Sequence, residues 1–111
     1  MEWMDQNSLS ANSLKRLVDE FAEIMKNRYD IVEFERDGQT NRCFKLDEDT
    51  YAIPAYMWGG KNNKFHCLVF CYANSPQDFS WYNQEEGGQY YPENYDSKEE
   101  MFNAMIKEIE S

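Results

Sequence analysis

The sequence predicts a single α+β domain: an N-terminal helix, an antiparallel sheet of four to five strands, and a C-terminal helix, with both helices packed on one face. Three observations lead there. Apolar residues recur at three- and four-residue spacing near both ends of the chain, as on one buried face of a helix. Between those segments the pattern changes to alternation and short apolar runs broken by turn residues. The strand-like segments follow one another through short turns, which favours hairpins over crossovers. A chain of 111 residues corresponds to one domain, long enough for a modest core without staples. Residues 1–8 are expected to fray.

Residues 10–29 read as the first helix, with Leu14, Leu17, Val18, Phe21, Ile24 and Met25 on one face. Ser10, Ser13 or Asn7 can cap its start. Residues 31–36 alternate as a strand, with Val32 and Phe34 on one side. Asp37-Gly38 is a hairpin signal, yet parity argues against a two-residue loop. Such a loop pairs Val32 with Cys43 and Phe34 with Asn41, which leaves Phe44 and Leu46 on the other face. A bulged or odd-length loop is therefore expected. Asp47 to Thr50 turns into a third strand, Tyr51 to Trp58. Pro54 cannot donate to a ladder, so that strand is expected to be an edge or to bulge. Gly59 to Lys64 is a loop. Phe65 to Tyr72 is apolar at nearly every position, as in a strand covered on both faces. Phe79 to Tyr82 reads as a short strand, Gly87-Gly88 as a turn, and Tyr90-Tyr91 as a short return strand. The last helix runs from Lys98 to about Glu110, opened by a Ser97/Glu100 capping box. Met101, Phe102, Met105, Ile106 and Ile109 form its apolar stripe.

With 21 acidic against 11 basic residues, the formal net charge is −10. That balance opposes direct binding to nucleic acid or anionic membranes and favours a basic partner. At 41% hydrophobic and 16% aromatic, the composition is too apolar for a disordered chain. No run approaches the roughly 20 apolar residues of a membrane span. The opening MEWMDQNS has no apolar signal core. Three cysteines argue against a disulfide framework. A cytoplasmic location is expected.

No constellation points to catalysis, so the chain is read as non-enzymatic, with no cofactor and no metal. His66, the single histidine, sits in the most apolar strand without an evident orienting partner, as a core or sheet histidine would. Cys67 and Cys71 are roughly 13 Å apart at strand rise, too far for a disulfide or a shared zinc. With Cys43 they read as small buried hydrophobes. Asp47, Glu48 and Asp49 lack the rest of a calcium loop. Gly59-Gly60-Lys61 lacks phosphate-loop spacing.

The informative stretch is 79–100, FSWYNQEEGGQYYPENYDSKEE, which concentrates aromatic rings and carboxylates together. Phe79 and Trp81 are expected to close the core. Tyr82, Tyr90, Tyr91 and Tyr95, with Glu85, Glu86, Glu93, Asp96, Glu99 and Glu100, are left as the candidate partner-binding surface. Tyrosine has an apolar body and a polar tip, which suits interfaces. Residues 85–111 hold eight acids and two bases, so six of the ten net negative charges lie there. Carboxylates so concentrated can stand in for phosphates before the Lys and Arg residues that grip nucleic acid.

The segment WYNQEEGGQYYPENYDSKEEMFNAMIKEI, with its acids and aromatics running into the Glu100, Met101, Phe102, Asn103 and Met105 helix, resembles small acidic phage anti-CRISPR proteins that inhibit Cas9. The resemblance implies a non-catalytic inhibitor whose acidic segment occupies a basic nucleic-acid-binding surface of a Cas nuclease. An immunity protein that neutralises a basic nuclease toxin fits the same size, acidity and aromatic anchors. A small ligand-binding or enzymatic domain built on a concave sheet around His66 is the third reading.

Overall fold

The computed structural model describes residues 10–36, 38–58, 66–76 and 85–110. In order these are α1 (Ala11–Met25), β1 (Asp30–Arg36), β2 (Gln39–Asp47), β3 (Thr50–Trp58), β4 (His66–Ala73), β5 (Glu85–Tyr90), a 3-10 turn (Pro92–Asn94) and α2 (Lys98–Glu110). The five strands form one antiparallel sheet in sequence order. Both helices pack on one face of it, as predicted. The expected strand at Phe79 to Tyr82, the loop at Gly59 to Lys64 and residues 1–8 lie outside the described residues.

α1 begins on Ser10, whose Oγ accepts from the Ser13 amide at 3.1 Å while the Ser10 amide donates to Ser13 Oγ at 2.8 Å. Two orphan donors are thereby satisfied by two serines. The helix ends at Met25, earlier than expected, where the Met25 carbonyl accepts from both Arg28 and Tyr29. Its buried face is Leu14, Leu17, Phe21, Ala22 and Met25, whereas Ile24 is 45% exposed. At about 100° per residue, Ile24 and Ala22 lie on opposite flanks of the stripe; the helix is rolled toward the Ala22 side. Phe21 is the hub of the core. Its ring lies 5.9 Å from Phe44, 5.6 Å from Phe70 and 5.4 Å from Phe102, the first two edge-on, an arrangement that suits aromatic quadrupoles.

The β1–β2 register corrects the parity argument. Val32 pairs with Cys43, Phe34 with Asn41 and Arg36 with Gln39, which leaves a two-residue Asp37-Gly38 connection. Gly38 takes φ 77°, the left-handed region that glycine enters without a Cβ penalty. No side chain is misplaced, because both faces of the sheet are apolar. Ile31, opposite Phe44, joins the helix-side core, while Val32, Phe34 and Cys43 join a second cluster with Ile53, Ala55, Val69 and Cys71. β4 divides its apolar run the same way, sending Leu68 and Phe70 to one core and Val69 and Cys71 to the other. That is the expected signature of a strand covered on both faces.

α2 has the predicted bounds. Ser97 Oγ accepts from the Glu100 amide at 3.2 Å, and Glu100 Oε2 accepts in return from Asp96 N at 3.2 Å, one residue earlier than in a standard capping box. Met101, Phe102, Met105 and Ile109 are buried, with Ile106 half-buried on the flank. Among the described residues no helix is long and apolar enough to cross a membrane.

Candidate functional site

The expected Gly87-Gly88 turn is a bulge inside β5. Val69 pairs with Gln89 and Cys71 with Glu86, so the two glycines together oppose Phe70. Glu108, reaching across from α2, explains why both are glycine. Its Oε2 accepts from the Tyr72 hydroxyl at 2.5 Å, and its Oε1 accepts from the Tyr90 hydroxyl at 2.5 Å and the Gly88 amide at 2.7 Å. A Cβ on Gly87 would overlap Glu108 Oε2, and one on Gly88 would stand 2.7 Å from Oε1. The bulge is therefore a receptor for a carboxylate of the same chain. Burial, then the bond to Glu108, pushes the Tyr72 and Tyr90 hydroxyls well above the usual tyrosine range, so both remain donors. Glu108 escaped the sequence reading. Its spacing from Met101 and Met105 on the inner side of α2 was the available signal.

The proposed contact surface contracts accordingly. Tyr90 belongs to the core, at 9% exposure; a ring flanking Phe70 at 6.3 Å and a hydroxyl bound to Glu108 leave it nothing to offer a partner. Tyr95 is half-buried against the same core. Tyr91 is half-buried, with its hydroxyl donating to Gln89 Oε1 at 2.8 Å. Glu93 on the 3-10 turn, Asp96 in the link after it, and Glu99 and Glu100 in the first turn of α2 are all exposed. Tyr82 and the side chains of Glu85 and Glu86 lie outside the described residues; the backbone of the two glutamates opens β5 opposite Tyr72 and Cys71. The one base within 93–100, Lys98, extends to Glu20 on α1 at 2.6 Å, and that bond raises its pKa. Its ammonium is thus hydrogen-bonded to α1, while its charge still attracts Glu99 beside it.

A second feature comes from Pro54. β2 and β3 pair only as far as Phe44 with Ala52, whereas β1 accompanies β2 to Gln39 and β4 accompanies β3 to Trp58. Continuing the β2–β3 register would set Arg42 opposite Pro54. Proline has no amide hydrogen to give, and inside a sheet its nitrogen must face a side without a ladder. The expectation of an edge strand or a bulge at Pro54 is corrected: β3 is the central strand of five and pairs regularly with β4 through Pro54 opposite Phe70. The proline is accommodated because the β2 ladder has already ended on its other side. The seam opens into a cleft of about 590 Å3 between α1, β2 and β3. On its rim Arg42 is held by Glu23 at 3.2 Å and Asp19 at 4.0 Å. Glu23 is kept below the usual carboxylate range, first by its bond to Lys26 and then by Arg42.

Neither His66 nor any cysteine lines this cleft. His66 is half-buried at the start of β4, opposite Trp58. Cys43, Cys67 and Cys71 are buried thiols, and burial pushes Cys43 up to about 11, away from thiolate reactivity. Among the described residues no three of His, Cys, Asp or Glu gather as metal ligands. Compared with family models, curated proteins and solved structures, the chain matches none.

Proposed function

We propose that this protein is a non-catalytic acidic inhibitor that docks on the basic nucleic-acid-binding surface of a defence nuclease, in the manner of an anti-CRISPR protein. The contact face is the 3-10 turn and first turn of α2. One observation carries the reading. Glu93, Asp96, Glu99 and Glu100 are exposed within one short segment while Lys98, the base among them, is drawn off to Glu20. The negative field is left only partly compensated where it meets solvent, Lys98 still attracting Glu99 beside it. Lys and Arg residues placed to grip phosphates meet carboxylates there instead, and Tyr91 borders the patch with a part-exposed ring. The fixed caps of α2 hold the acids in place, which limits the entropy lost on docking.

The test is competition for DNA. Guide-loaded Cas9 is mixed with a labelled target duplex and increasing amounts of the protein, and DNA binding is followed by electrophoretic shift. The expected result is displacement that weakens as salt rises. Neutralising the four acids (Glu93→Gln, Asp96→Asn, Glu99→Gln and Glu100→Gln together) should weaken displacement roughly 100- to 1,000-fold, at up to about 1 kcal/mol per exposed charge. Undiminished displacement by the neutralised variant overturns the reading. Failure to displace DNA from Cas9, with inhibition of a basic nuclease toxin instead, moves the same face to an immunity role.

A further inference from the structure

The open β2–β3 seam is a feature that the acidic face does not use. We infer that it is a binding site for an extended peptide segment bearing a carboxylate, added as a strand to the inner edge of β2. The inference stands independently of the nuclease reading, since it concerns another part of the molecule.

The lining shows what the cleft presents. Thr40, Asn41 and Arg42 contribute from β2, and Ile53 through Tyr56 from β3. Successive side chains of a strand point to opposite faces, so consecutive residues lining one cleft mean that main chain forms its walls. The polarity of those walls follows from the proline. With the Pro54 nitrogen facing β2, Ala52 and its partner Phe44 turn their amides toward each other. Along β2, Arg42 and Thr40 share the parity of Phe44 and turn their N–H and C=O groups into the seam. β3 answers them with no ladder pairs beyond Ala52. A strand edge of this kind is a template for a further strand. Val18, Ala22 and Pro54 supply apolar wall, and a volume of about 590 Å3 falls within the roughly 300–1,000 Å3 of ligand pockets.

Charge selects the segment. Arg42 is already engaged by Glu23 and Asp19. Lys15, exposed on α1 at the cleft, makes no ion pair among the described residues. In a chain of net charge −10, an acidic peptide is repelled from most of the surface, so a cation beside an open strand edge fixes both its place and its register.

The probe is a set of fluorescein-labelled hexapeptides of Val, Thr and Ile, each carrying one Glu or one Lys at a defined position, titrated by anisotropy up to millimolar protein. The glutamate peptides are expected to saturate, and to bind about tenfold or more tighter than their lysine counterparts, a difference of one decade in affinity. Methylating alternate peptide nitrogens should abolish binding in one phase of alternation and spare it in the other. Lys15→Glu should reverse the preference toward lysine peptides. Pro54→Val restores an amide opposite Arg42, so the seam should close, slowing amide exchange at residues 40 and 42 and weakening binding about tenfold or more. Should Pro54→Val fail to fold, Lys15→Glu and the methylated peptides decide alone. The inference is overturned if no peptide saturates, if methylation is without effect in both phases or abolishes binding in both, or if Lys15→Glu leaves the preference unchanged.

Discussion

Glu108 and the group of Glu93, Asp96, Glu99 and Glu100 lie at opposite ends of α2, and their surroundings divide one chemistry into two roles. Glu108 sits near the C-terminal end, where the helix dipole disfavours a negative charge. It is held there by two tyrosine hydroxyls and a backbone amide. The other four stand at the N-terminal end, where the dipole favours them, and all are exposed. The first carboxylate, half-buried, is engaged by three donors of its own chain. The second set meets water, apart from the Asp96 amide on Glu100 and the Lys98 charge beside Glu99. Tyrosines divide likewise: Tyr72 and Tyr90 serve Glu108, while Tyr91 borders the exposed acids.

The difference can be broken most severely at Glu108. Glu108→Ala removes the shared acceptor of three donors and should cost about 3 kcal/mol, the scale of hydrogen bonds to a charged group. Urea denaturation measures it. Gly87→Ala places a methyl group where the carboxylate lies and should cost about 2 kcal/mol by overpacking. That cost should shrink in a Glu108→Ala background, because the two residues share one contact.

Tyr72→Phe and Tyr90→Phe should each cost about 1 kcal/mol, a single hydrogen bond with its acceptor still partly satisfied. The same residues predict an alkaline limit. Their folded-state pKa values are raised, by burial first and Glu108 second. The stability they add is therefore complete below the unfolded tyrosine value of about 10 and is lost as pH rises above it toward the folded value. The double phenylalanine variant should show a flatter decline between neutral pH and strong alkali. Smallest in stability is the fourfold neutralisation of the exposed acids, expected to change it by less than about 1 kcal/mol as lost dipole attraction offsets relieved repulsion.

The fold was legible wherever the pattern was local. The stripe of Met101, Phe102, Met105 and Ile109 with Ser97 located α2, and the unbroken apolar run of β4 announced a strand covered twice. At Asp37-Gly38 the parity argument assumes a single buried face, whereas the assembled sheet buries both and sends Phe34 and Phe44 into different cores. Gly87-Gly88 reads as a turn in any sequence. Its place in a bulge depends on Glu108, some twenty residues later in the chain, and no local signal connects them. Pro54 signalled a gap in pairing, but not which neighbour would lose it. For the acidic face, the sequence separated exposed acids from core residues at Glu93, Asp96, Glu99 and Glu100, and failed at Tyr90, whose burial is set by the strand it closes.

The two carboxylate sets are tested together by measuring two variants in two assays, urea stability and displacement of target DNA from guide-loaded Cas9. Glu108→Gln should lower stability while leaving displacement, measured well below its unfolding midpoint, within about threefold of the unmodified protein, a difference under about 1 kcal/mol. The fourfold neutralised variant should keep its stability and lose displacement. If the neutralised variant still displaces DNA, or if both variants lose displacement only in step with stability, the separation of a structural carboxylate from a contact face is contradicted.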